Sequence, residues 1–336
     1  MIKYDIYGIG AALVDTEIAV SDQNLRDFGV DKGIMTLVDE PRQQQLLDLL
    51  SEHMTSSKLA SGGSAANSVI AASYFGASTF YSCRVADDEL GKFYLNDLAA
   101  ARVDVHASNG SAQGMTGKCL VMITPDAERT MNTFLGISEN LSVDDIDIAA
   151  VQQSALVYIE GYQVTSATGK PAAIWLKQTA DLHNVKTAVS LSDPAIVEHF
   201  HSGLQEIIGD GVDILFCNEQ EALNFTKSQS LETAAEALKS CARTFAITLG
   251  SKGALIFDGE KQFNVDAHRV KAVDSNGAGD MFAGAFLYGI SQGQSYQTAA
   301  TLAVKAAAQV VSQFGPRLKA EQHAELLNAT GFHAEE

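Results

Sequence analysis

A chain of 336 residues can hold one large α/β domain with a small accessory element, or two ordinary domains. Hydrophobic residues make up 46% and charged residues 19%, a globular balance that excludes a disordered chain. Asp and Glu number 41 against 23 Lys and Arg, and the net charge of −18 excludes the basic footprint of a nucleic-acid binder and repels anionic membranes.

The opening MIKYDIYGIGAALVD holds a strand at 5–9 and lacks the basic segment and long apolar run of a secretion signal. Residues 16–20, TEIAV, alternate like a half-exposed strand. Helical patterns at 41–54 and 64–75 precede a strand at 79–85. Residues 115–134 then break the rhythm. KCLVMIT and RTMNTF are joined by PDAE, a link so short that the two strands must be antiparallel. Further on, apolar runs at 155–160, 186–191, 213–217, 244–249 and 254–257 alternate with helical stretches at 172–182 and 232–241. An alanine-rich helix follows at 298–311. Continuously apolar strands between helices imply a mostly parallel sheet covered on both faces, a three-layer α/β/α domain. The hairpin and TEIAV read as a small β-sheet lid projecting from it.

Cys83, Cys119, Cys217 and Cys241 have no paired spacing and read as buried reduced thiols. No apolar run reaches the ~18–20 residues of a membrane span, so the chain is expected to be cytoplasmic, without membrane or nucleic-acid partners.

The chemistry concentrates in VDSNGAGDMFAGAFLYGI, residues 273–290. Met281, Phe282, Ala285 and Phe286 form one helical face, so the glycines before them lie where a loop becomes a helix. Free N–H groups converge there and side chains are absent, which suits an anionic phosphate. Asp280 falls in the first turn beside that site, where a carboxylate can take a proton from an attacking hydroxyl. A first-turn aspartate also simply complements the helix dipole, so both roles stay open on physics alone.

Asp274, Ser275, Gly277, Ala278, Gly279 and Asp280 match D-[TS]-x-G-A-G-D, and the segment resembles the C-terminal signature of the ribokinase (PfkB) family of carbohydrate and nucleoside kinases. Ser61-Gly62-Gly63-Ser64-Ala65-Ala66-Asn67 resembles the family's N-terminal signature. The likeness covers essentially the whole chain and implies the ribokinase-like fold. The large α/β domain is expected over 1–14, 41–103 and 137–330, and the lid over 15–40 and 104–136. By that resemblance Asp280 is the catalytic base, Gly277, Ala278 and Gly279 form the anion hole, and Gly62, Gly63 and Asn67 line the acceptor site. Asp15 matches the aspartate that grips vicinal hydroxyls of a sugar or ribose, as a carboxylate can by accepting two hydrogen bonds. Asn218 and Glu221 resemble the N-x-x-E motif tied to Mg²⁺ through water, and also suit a helix cap. Thr248, Gly250 and Gly253 resemble the T-x-G-x-x-G nucleotide loop, to which Asn276 adds.

Arg129 lies in TPDAERTMN on the lid hairpin, similar to the run of the adenosine-kinase-like branch, except that Ala127 stands for a glycine and puts strain on the turn. A lid arginine can reach the transferring phosphate on closure. This region and YIEGY (158–162) most resemble the bacterial adenosine-kinase-like branch. That likeness implies ATP and Mg²⁺, with a monovalent cation near Asp274 open, and transfer of the γ-phosphate to a ribose-containing acceptor, adenosine giving AMP. Met122 or Phe134 is expected to supply a purine slot. The alternative acceptor is a free sugar or 2-keto-3-deoxygluconate, and monomer and homodimer both remain open.

Other classes fit less well. GIGAAL fails the dinucleotide pattern at Leu13, no GKS or GKT forms a P-loop, and the eight histidines form no metal cluster. A sensing module that kept the fold would be expected to have a damaged motif, and Asp280 and its glycines are intact.

Overall fold

The computed structural model describes residues 2–51, 58–106, 109–126 and 128–332. The expected end of the 41–54 helix and the turn residue Ala127 lie outside the described residues. The strands, in chain order, are β1 (Tyr4–Ile9), β2 (Leu13–Ala19), β3 (Met35–Leu37), β4 (Lys58–Gly62), β5 (Thr79–Ser82), β6 (Val103–Val105) and β7 (Gly117–Ile123). They continue with β8 (Arg129–Phe134), β9 (Ser154–Glu160), β10 (Lys186–Ser190), β11 (Val212–Asn218), β12 (Ala242–Thr248), β13 (Ala254–Phe257) and β14 (Gln262–Val265).

The large sheet runs β14-β13-β12-β11-β10-β9-β1-β5-β6. Its pairs are parallel from β12 through β6, and β13 and β14 close one end as an antiparallel meander. Both faces are covered, which explains the continuous apolar strands. Ile6, Leu156 and Tyr158 point into one core with the helices Ser64–Phe75, Ala278–Ser291 and Tyr296–Val311. Their neighbours Tyr7, Val157 and Ile159 point into the other, against Gly169–Leu182, His201–Ile208 and Leu231–Leu238. This is the three-layer α/β/α arrangement expected.

The small sheet runs β3-β8-β7-β2-β4. Its hairpin β7–β8 is antiparallel, as the short PDAE link requires, and β2 lies parallel to β7. Three assignments differ from those made on sequence. Lys58–Gly62 pairs with β2 at the edge of the small sheet, not with the large domain, and Asp104 and Val105, expected in the lid, continue with Val103 in the large sheet. KLASG has no alternating pattern to mark a strand, so only its pairing reveals it. The helix Glu40–Leu49 also belongs to the lid side: Leu46 and Leu50 pack with Ile18, Leu120 and Met122 on the outer face of the small sheet. The opposite face looks across at the carboxyl ends of the large sheet. No helix among the described residues is long and apolar enough to cross a membrane.

Candidate active site

A cavity of about 550 Å³ lies between the two sheets, at the carboxyl ends of β1, β9, β10 and β11, where open α/β sheets hold their ligands. Asp280 stands in its wall, in the first turn of Ala278–Ser291. The helix has no internal acceptor for the first-turn amides of Gly279 and Asp280. Gly277 starts the helix with φ of 73°, and any side chain there would overlap the Pro316 backbone. Around Gly279 the space is open: among the described residues, no atom beyond its chain neighbours and its own helix backbone lies within 4 Å of where its Cβ would be. The loop is therefore shaped both to turn tightly and to leave room for a ligand.

Two side chains hold the Asp280 carboxylate. Ser64 Oγ donates to Oδ1 at 2.6 Å and Asn67 Nδ2 donates to Oδ2 at 2.9 Å. Both come from the first turn of Ser64–Phe75, so the two sequence signatures meet in space. The surrounding protein strips water from Asp280 and pushes its pKa up to about 6, while the two donors restrain the rise. A carboxyl in that range is ionised at neutral pH and still basic enough to take a proton.

Asp15 lies on the cavity face of β2, beside Gly62 on the paired strand. A Cβ on Gly62 would overlap the Asp15 carboxylate, and Gly63 has φ of 103° with the Ala11 carbonyl against it. These glycines let the backbone close over the aspartate. Burial pushes Asp15 up to about 7, opposed by the positive charge of Arg317.

Arg129 is already inside the site. It is 8% exposed, its Nε and Nη2 fork onto the two oxygens of Asp274, and Nη2 also reaches Glu17 at 3.3 Å. Asp274 in turn accepts the amides of Asn276 at 3.0 Å and Gly315 at 2.8 Å. The small sheet is thus tied to the loop that leads into the anion site. Arg129 Nη1 is buried without a hydrogen-bond partner among the described residues.

Asn218, Glu221, Thr248 and Asn276 line the cavity too. Asn218 and Glu221 form a capping box: Glu221 Oε2 accepts the Asn218 amide at 2.9 Å and Oε1 accepts Nδ2 at 2.6 Å. Burial pushes Glu221 up to about 7. Gly250 and Gly253 do not line the cavity. Gly253 has φ of 93° in the turn between β12 and β13, packed against the end of β14.

Met122 and Phe134, expected to supply a purine slot, do not line the cavity. Met122 is fully buried in the outer core, and Phe134 falls on the opposite face of β8 from Met131 and Thr133, which line the cavity. The apolar lining comes instead from Leu13, Met35, Leu37, Met131 and Leu135, with Tyr162 across from them. Sequence reasoning also missed Glu160, fully buried at the end of β9 and pushed up to about 7 by burial. Its signal was available: a lone charge at the carboxyl end of an apolar parallel strand.

Residues 36–323 match the pfkB family carbohydrate kinase domain. The structure is similar to that of the adenosine kinase from Sinorhizobium meliloti, with a TM-score of 0.90 and 33% identity over 97% of this chain and 99% of that one. It is equally similar to a probable sugar kinase from Rhizobium etli CFN 42, with a TM-score of 0.91 and 32% identity over 98% and 99%. The adenosine kinase of Schizosaccharomyces pombe is 26% identical over 326 residues, covering 90% of this chain and 92% of that protein.

Proposed function

The chain belongs to the pfkB family of carbohydrate kinases, ATP-dependent enzymes that phosphorylate an alcohol, and from that premise we propose that its acceptor is a purine nucleoside, adenosine, phosphorylated at the 5′-hydroxyl. The observation that carries the reading is the placement of two carboxylates in one cavity. Asp15 lies on the small sheet beside Gly62, and Asp280 lies at the helix N-terminus held by Ser64 and Asn67. Asp15 accepts the ribose 2′ and 3′ hydroxyls, which directs the 5′ carbon toward Asp280. The base lies along Met35, Leu37 and Met131, where covering a flat heterocycle gives about 25 cal/mol for each Å² of apolar surface.

In the transfer step, Asp280 takes the proton of the 5′-hydroxyl as the hydroxyl oxygen attacks the γ-phosphorus of ATP, and the bond from that phosphorus to the β–γ bridging oxygen breaks to release ADP. The first-turn amides of Gly279 and Asp280 receive the charge on the γ-phosphoryl oxygens. Arg129 adds its unpartnered Nη1, held in place by Asp274 and Glu17. Asn218 and Thr248 line the cavity at the carboxyl ends of β11 and β12 and take the nucleotide side in this reading.

Among the described residues no group of three metal-ligating side chains occurs, and both Glu221 oxygens already accept from Asn218. That fits Mg²⁺ held by the phosphates and its own waters, with Glu221 reached through water. When bound it neutralises phosphate charge. A monovalent cation at Asp274 fits poorly, because Arg129 already balances that buried carboxylate.

The test is a coupled assay with ATP and Mg²⁺ across adenosine, inosine, ribose, fructose and 2-keto-3-deoxygluconate. Adenosine should exceed the free sugars by ~10²-fold or more in kcat/KM, equivalent to nearly 3 kcal/mol at about 1.4 kcal/mol per tenfold. A free sugar that outperforms adenosine would leave the kinase and remove the nucleoside.

A further inference from the structure

The glycine pair of GIGAAL resembles a nucleotide fingerprint but takes no part in holding ATP on the reading above. Each glycine has another reason to be bare. A Cβ on Gly8 would lie 2.5 Å from Val69 Cγ2 in the Ser64–Phe75 helix, and one on Gly10 would lie 2.5 Å from Glu160 Oε2. Gly8 lets that helix dock on β1. Gly10 leaves the passage through which the Glu160 carboxylate reaches its partners.

Those partners are all donors. Glu160 Oε1 accepts the Ala11 amide at 2.6 Å and Gln163 Nε2 at 3.0 Å, and Oε2 accepts the Ala65 amide at 2.8 Å. Ala65 lies in the same helical turn as Ser64 and Asn67, which hold Asp280. Ala11 lies just before β2, which carries Asp15. One buried carboxylate therefore ties the end of β9 to the turn that orients the base and to the segment that leads to the acceptor aspartate.

We propose that Glu160 is a positioning residue for phosphoryl transfer, a clamp on the Ala11 and Ala65 amides that fixes Asp280 against the acceptor hydroxyl. The proposal rests on the reading of Asp280 as the base. A carboxylate suits the task because every facing group donates. A glutamine of the same shape would turn an NH₂ toward an N–H and leave a buried donor unpaired. The turn carrying Ser64 and Asn67 would then shift, and a misplacement of about 1 Å can reduce turnover about 10²-fold.

Glu160→Gln and Gly10→Ala test the clamp from its two sides. The first removes the acceptor; the second keeps the carboxyl group and crowds it, together with the Tyr81 hydroxyl that would lie 2.7 Å from the new Cβ and that donates to the Ala11 carbonyl. Each variant is assayed well below its own Tm, with kcat, acceptor KM and ATP Kd measured together and Asp280→Asn run alongside. Both should lose kcat, Glu160→Gln by about 10–10²-fold, with acceptor KM and ATP Kd within about threefold of wild type. If either folded variant keeps wild-type kcat and loses only Tm, Glu160 is structural and the clamp is overturned. A tenfold or greater rise in acceptor KM at preserved kcat would make Glu160 a contact of the acceptor, which also overturns it. Should Glu160→Gln fail to fold, Gly10→Ala decides on the same terms. Loss of turnover in Asp280→Asn with kcat retained in the other two removes the clamp and keeps the base. Retained turnover in Asp280→Asn removes the base and the clamp with it.

Discussion

Ser64 Oγ donates to Asp280 Oδ1 at 2.6 Å, and replacing Ser64 with alanine deletes one of the two side-chain donors that steady the ionised base. A hydrogen bond to a charged group contributes about 1.5–3 kcal/mol, and one pKa unit corresponds to about 1.36 kcal/mol. The full loss would be one to two units, and water drawn into the cavity recovers part of it, so a rise of about one unit is expected. Asp280 starts at about 6, pushed up by burial against the pull of Ser64 and Asn67. A further rise keeps the carboxyl protonated, and useless as a base, to higher pH. At pH 6 its ionised fraction would fall from about a half to about a tenth, while at pH 8 it changes little. The assay is kcat/KM for the acceptor against pH, which reports the protein before the acceptor binds, and the titration of Asp15 is common to both enzymes and cancels in their comparison. The ratio of kcat/KM at pH 6 to kcat/KM at pH 8 should drop about fivefold in Ser64→Ala relative to wild type. An acid limb that stays in place, or moves to lower pH, refutes the argument.

Asp15→Ala should raise acceptor KM with little change in ATP Kd, whereas Arg129→Ala should lower kcat more than it raises acceptor KM, and the reverse pattern would exchange their roles. Because Arg129→Ala leaves Asp274 buried and unpaired, a stability loss of about 3–5 kcal/mol should accompany it, measurable by denaturant titration. Asp280→Asn should be more stable than wild type at pH 8. The folded-state pKa of Asp280, about 6, lies above the 3.8 of a free carboxyl, so the folded protein holds the proton more tightly. That preference favours folding below pH 4 and is lost as pH rises through 6. The Tm advantage of the variant should therefore be full at pH 8 and vanish near pH 4; an advantage that grows toward acid would contradict the assignment.

The sequence made the parallel sheet legible because strands buried on both faces are apolar throughout, and the lid hairpin legible because PDAE is too short for a crossover. The meeting of the two signatures at Asp280 followed from motif resemblance, and its geometry is visible only in the fold. Met122 and Phe134 were wrongly expected at the cavity for a physical reason. On β7 both faces are apolar, Cys119 and Val121 on one and Leu120 and Met122 on the other, so composition gives no phase for which face meets the ligand. The phase comes from the pairing of Asp15 with Cys119 on β2 and β7. The partners of Glu160 and the pairing of Arg129 with Asp274 were hidden by distance along the chain. Ala11 and Ala65 lie 149 and 95 residues from Glu160, and Arg129 lies 145 from Asp274. No periodicity or local motif links such partners.

The most direct measurement is turnover of Asp280→Asn beside its affinity for ATP. The substitution keeps the shape and removes the proton acceptor, while the amides of the helix N-terminus and the cavity wall are unchanged. With adenosine as acceptor, kcat should fall by about 10²–10⁴-fold and ATP Kd should stay within about threefold of wild type. A variant that retains more than about a tenth of wild-type kcat would contradict Asp280 as the base, since loss of a general base costs at least that much.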